Sequence, residues 1–116
     1  MSFGSFIDQL KTDGNLIEIQ EPISPEYDAA RIAGNERPHL FHNINGCRVA
    51  VNLLSSRAAL CMALGINRED VARHLASVEP DGETRLVEDS PTEEIRSKPD
   101  LSKLPVLTHF KNDPAP

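Results

Sequence analysis

The dipeptide Asn45-Gly46 constrains this chain more than any other pair of residues. Asparagine followed by glycine is the strongest short signal for a two-residue hairpin loop, because both residues tolerate the positive φ that such a turn demands. The flanking runs suit strands. Residues 39–44 put Leu40 and His42 on one face and His39 and Phe41 on the other. Residues 47–53 follow as the partner strand, with Val49 and Val51 on one face. A β-hairpin therefore sits near the middle of the sequence, and the other elements must cover it.

Upstream, Ser2 is a helix N-cap, and Phe3, Phe6, Ile7 and Leu10 share one face at helical spacing. Lys11 falls in the last turn and Gly14 is the natural stop. Residues 16–20 read as a strand, with Ile17 and Ile19 on one face and Leu16 opposite, until Pro22 ends it. Ser24-Pro25-Glu26 has the form of a second helix start: cap, proline at the first helical position, acid in the first turn. That helix would carry Tyr27, Ala30, Arg31 and Ala33 and close at Gly34-Asn35.

Downstream of the hairpin, Ser55 or Ser56 caps a third helix over 57–64, closed by Gly65. Asn67 with Asp70 three residues on resembles a capping box and opens a fourth helix bearing Val71, Leu75 and Val78. The expected fold class is α/β, a small mixed or antiparallel sheet covered by helices, with an extended C-terminal arm. Residues 1–78 form the α/β domain, and residues 79–116 form an acidic connector and an apolar strip.

The connector is set apart by charge. The chain has 116 residues and a net charge of −6, and residues 79–100 hold eight acids against Arg85, Arg96 and Lys98, a local net of −5. Such a balance argues against a nucleic-acid surface, which needs clustered Lys and Arg. Pro80-Asp81-Gly82 is turn chemistry, residues 85–87 could make a short strand, and residues 90–99 read as a solvated connector or wrapping arm with Ile95 its one large apolar residue. After it, Pro105 and Pro114 keep the backbone extended, so Leu101, Leu104, Val106 and Leu107 form an apolar strip that must lie on something.

Groups able to carry chemistry are few. His39 and His42 lie three apart on a strand and point to opposite faces, so they cannot chelate one ion together. His74 sits near a helix C-terminus, and His109 belongs to the strip. Ser55 and Ser56 are better explained as caps than as nucleophiles. Cys47 and Cys61 are too few for a disulfide framework or zinc site and read as reduced, buried small hydrophobes. Paired acids catalyse only where burial or mutual repulsion moves their pKa values apart, and the pairs Glu93-Glu94 and Glu69-Asp70, in polar surroundings, read as a solvated face. Residues 43–46 and Asn112-Asp113 are backbone turns first. No residue is assigned a catalytic, cofactor-binding or metal role.

The strip DLSKLPVLTHFKND resembles the D-L-x-x-L-P-x-L-x-H segment of UbiD-like decarboxylases. The earlier runs SFIDQLKTDGNLIEIQEPISPEYDAARIA and HLFHNINGCRVAVNLLSSRAALCMALGI are similar, in order, to that family's amino-terminal domain. The resemblance implies non-oxidative decarboxylation of aromatic or α,β-unsaturated acids by a complete enzyme that uses prenylated FMN with a divalent metal and potassium. The family's glutamate–arginine–glutamate set lies beyond the strip, in a flavin-binding domain missing here. This chain would then be a non-catalytic domain or subunit that binds no cofactor alone. Its partner would be the remainder of a UbiD-like chain or a separate flavin-binding subunit. The alternative is a stand-alone binding module docking on a separate catalytic chain. No apolar run approaches a bilayer span and no secretion signal begins the chain, so the expected location is the cytoplasm.

Overall fold

The hairpin forms as β2 (His39–Ile44) and β3 (Cys47–Val51), joined by Asn45 at φ 51° and Gly46 at φ 79°. These coordinates are a computed structural model that describes residues 2–79, 86–88 and 97–113. His39, Leu40 and Phe41 pair with Val51, Ala50 and Val49, but Ile44 pairs with Cys47, so β2 holds one residue more than its partner. This bulge at His42-Asn43 breaks the strict alternation of faces. Phe41 and Ile44 consequently enter the same core, and both are fully buried. The Asn43 carbonyl, freed by the bulge, accepts from the Ile23 amide at 3.0 Å.

β1 (Ile17–Ile19) pairs with β2 in parallel, Glu18 opposite Leu40, and the sheet order is β1-β2-β3. The sheet is therefore mixed. A parallel neighbour needs a crossover, and α2 (Asp28–Ala33) supplies it. Ala29 and Ala33 are the small residues that let α2 lie close on Phe41 and Ile44, with Ile19, Ile23, Val49, Val51 and Leu107 around them. Burying Phe41 alone is worth on the order of 3 kcal/mol.

A second apolar cluster joins α1 (Phe3–Thr12) to α3 (Arg57–Leu64) through Phe6, Leu10 and Ala59, with Leu16, Leu53 and Met62 beside them. Ser2 caps α1 and Ser56, not Ser55, caps α3; Gly65 closes α3 in the left-handed region at φ 66°.

Four expectations are corrected. First, α2 starts at Asp28 rather than at Pro25, because residues 25–27 are bonded to the strip at Thr108. Second, α4 (Val71–Ser77) starts after Asp70: residues 67–70 make a turn, and the Asp70 carboxylate bonds Arg73 at 3.1 Å instead of capping. Third, the strip is not extended throughout. Leu101–Lys103 form a 3-10 turn because the Asp100 carboxylate accepts from the Ser102 amide and hydroxyl. Fourth, Cys47 and Cys61 are free but half-buried. Cys47 opens an edge strand, where only one side is covered. The turn at 80–82, Arg85 of the proposed strand, Glu93-Glu94, Ile95 and most of the connector lie outside the described residues.

Candidate functional site

Glu18 binds side chains from two other elements at once. Alternation on β1 points it away from Ile17 and Ile19, toward α1. There its Oε2 lies 2.9 Å from Lys11 Nζ, and its Oε1 accepts from His42 Nε2 at 2.9 Å. The Lys11 hydrogen bond first, and the His42 bond second, hold the Glu18 carboxyl below the ordinary glutamate range. A general base needs a pKa near the working pH, and Glu18 is moved the other way. The cluster is an electrostatic latch between α1, β1 and β2.

His39 and His42 do take opposite faces. His39, only 5% exposed, stacks on Phe41 with ring centroids 6.1 Å apart and donates from Nδ1 to the Arg37 carbonyl at 2.9 Å. It lines a concavity of about 460 Å³ between β1 and the end of α2. His74 lies in the last turn of α4. His109 stands on the strip, where Asp113 accepts from the His109 and Phe110 amides at 2.7 and 2.8 Å. Those two amides hold the Asp113 carboxyl below the ordinary aspartate range. Among the described residues no three His, Cys, Asp or Glu side chains converge as metal ligands would.

Two neighbouring concavities at α1 are mainly apolar. A groove of about 720 Å³ runs between α1 and the hairpin, lined by Phe3, Ile7, Leu40 and Ala50 with Asp8 and Arg48 as its charged residues. Phe3 also borders a second hollow of about 280 Å³ with Phe6, Leu53, Leu54 and Ala63. Phe3 itself is 69% exposed, although it belongs to the apolar face of α1. On the strip, Leu101 and Phe110 are each 74% exposed while Leu107 packs into the core. What this surface can do chemically is bind another apolar surface.

The family model of the 3-octaprenyl-4-hydroxybenzoate carboxy-lyase amino-terminal domain, UbiD_N, matches residues 7–78. The chain belongs to this family. An anhydromevalonate phosphate decarboxylase of Methanosarcina mazei is 50% identical over 118 aligned residues, which take in 100% of this chain and 28% of that protein. The chain thus spans under a third of the length of that relative. UbiD-family enzymes use prenylated FMN. Among the described residues the groove between α1 and the hairpin does not fit that group: it offers the Arg48 guanidinium beside the Asp8 carboxylate and apolar walls, and a flavin phosphate needs several converging donors. Among the described residues no helix is long and apolar enough to cross a membrane.

The Lys11–Glu18–His42 latch was not visible in the sequence. The alternation of β1 puts Glu18 on the α1 side, but only the parallel register brings it to His42.

Proposed function

We propose that this chain is the non-catalytic amino-terminal domain or subunit of a UbiD-type decarboxylase, and that its apolar surface around Phe3 packs beside the domain that holds prenylated FMN. Residues 1–78 are the α/β domain, and residues 79–116 run as connector and strip toward that flavin-binding partner. The observation that carries the reading is the exposure of Phe3 between two apolar hollows, on a chain that belongs to the family. An exposed aromatic flanked by concave apolar surface is how a docking face is built.

The complete enzyme, on this reading, removes CO2 without oxidation from an α,β-unsaturated acid. Anhydromevalonate phosphate is the candidate substrate, since the relative named for it is identical at half the aligned positions. The protein works in the cytoplasm, where free thiols such as Cys47 and Cys61 stay reduced.

Purification from the native source tests this. The chain, followed by mass, should travel with a flavin-like visible spectrum and with release of CO2 from anhydromevalonate phosphate. A colourless solitary species of the chain's own mass would overturn the reading. So would CO2 release by the 116-residue chain supplied with prenylated FMN alone.

A further inference from the structure

The segment entering α2 is at odds with its own sequence. Ser24-Pro25-Glu26 carries the signals of a helix start, and the Ser24 hydroxyl already accepts from the Glu26 amide at 3.1 Å, a bond typical of an N-cap. Yet the helix waits until Asp28. In between, Tyr27 takes a positive φ of 61° with ψ −31°. The Asp28 amide donates to the Glu26 carbonyl at 2.7 Å. This closes a γ-turn of the rare, positive-φ hand, which is strained. A bulky non-glycine residue stays there only where its surroundings hold it.

The strip is what holds it. The Tyr27 amide donates to the Thr108 carbonyl at 2.9 Å, and the Thr108 amide donates to the Pro25 carbonyl at 3.0 Å. Glu26 and Thr108 thereby face each other in a parallel bridge. Leu107, the next residue, is anchored in the core of Ala29, Ala33, Phe41 and Ile44. In a helix begun at Ser24, the Pro25 carbonyl would instead accept from the Ala29 amide, as every helical carbonyl accepts from four residues on. Strip and helix compete for the same carbonyl oxygen.

We propose that residues 24–27 are a two-state strap. With the strip seated at Thr108, the strap is extended and Tyr27 is strained; with the strip released, Ser24 caps an α2 about one turn longer. The length of α2 therefore reports the position of the strip. This device does not depend on the decarboxylase reading, because every group in it lies within this chain.

Backbone NMR on the 116-residue chain tests it with two substitutions. Thr108→Pro deletes the amide that holds the Pro25 carbonyl. The Cα shifts of Pro25, Glu26 and Tyr27 should then move to helical values while the β2–β3 amide pattern is kept. Tyr27 retaining its positive-φ shifts in that variant would overturn the proposal, since the strain would then belong to the loop itself. Tyr27→Gly decides the matter if Thr108→Pro loses its fold. Glycine takes positive φ without the Cβ clash and is a poor helix former, so the seated state gains and exchange of the Thr108 amide should slow by about tenfold. Unchanged or faster exchange there would equally overturn the strap.

Discussion

Glu18 on β1 and His42 on β2 are joined side chain to side chain at 2.9 Å across the parallel pair of strands. The other oxygen of the same carboxylate holds Lys11 of α1, so one residue ties three elements together. Its pKa is lowered in the folded chain, chiefly by Lys11 and then by His42. A carboxyl with a depressed folded pKa adds stability that is present above its unfolded pKa and is lost as the pH falls through the folded one. Glu18→Gln should therefore destabilise the chain at pH 7 and make little difference at strongly acidic pH. Urea midpoints of both proteins at pH 7 and at about pH 3 check this. Equal midpoints at pH 7 would show that the latch is idle.

The two serines before α3 separate cleanly. The Ser56 hydroxyl accepts from the Ala59 amide at 3.1 Å, whereas the Ser55 amide only closes a turn to the Asn52 carbonyl. Ser56→Ala should cost about 1 kcal/mol. Ser55→Ala should stay within about 0.5 kcal/mol of the parent. Chemical denaturation of the pair measures both, and a larger loss at Ser55 would reverse the assignment.

Asn52 has a backbone role and a side-chain role. Its φ of 57° ends β3 in the left-handed region, and its Nδ2 donates to the Gly34 carbonyl at 2.7 Å, just past the end of α2. Asn52→Gly keeps the first role and loses the second; Asn52→Ala loses both. Glycine should cost about 1 kcal/mol, the worth of an ordinary hydrogen bond. Alanine should cost about 1 kcal/mol more, from the strain of positive φ. Denaturation midpoints that place alanine above glycine would contradict the backbone role.

Local signals carried most of the fold. Asn45-Gly46 located the hairpin, and Ser2, the pair Ser55-Ser56 and Gly65 located helix ends, because turns and caps are made by residues a few positions apart. The errors have a common cause in long-range contacts. Ser24-Pro25 reads as a helix start until Thr108 takes the Pro25 carbonyl. Phe41 and Ile44 fall on opposite faces by alternation until the bulge turns them to one side. Asp70 resembles a capping partner until Arg73 takes its carboxylate. The apolar face of α1 was legible, but not that Phe3 would be left outside the core, since exposure depends on what else packs there.

Phe3 and Phe6 share that face and differ in fate, which separates folding from docking. Phe6 is 8% exposed and packs with Leu10 and Ala59, so Phe6→Asp would bury a charge without a partner and should abolish the fold. Phe3 is the first residue of α1, exposed, and next to the Ser2 cap. An aspartate there meets the positive end of the helix dipole. Phe3→Asp should therefore leave the urea midpoint of the chain within about 0.5 kcal/mol of the parent, or raise it slightly. On the docking role proposed for this surface, the same substitution should weaken association with the flavin-binding partner at least tenfold, as loss of an aromatic anchor does. Co-elution of the chain with visible absorbance measures that. A stable Phe3→Asp chain that still co-elutes at parental strength would move the docking face away from α1, and the exposed Leu101 and Phe110 of the strip would be the next residues to replace.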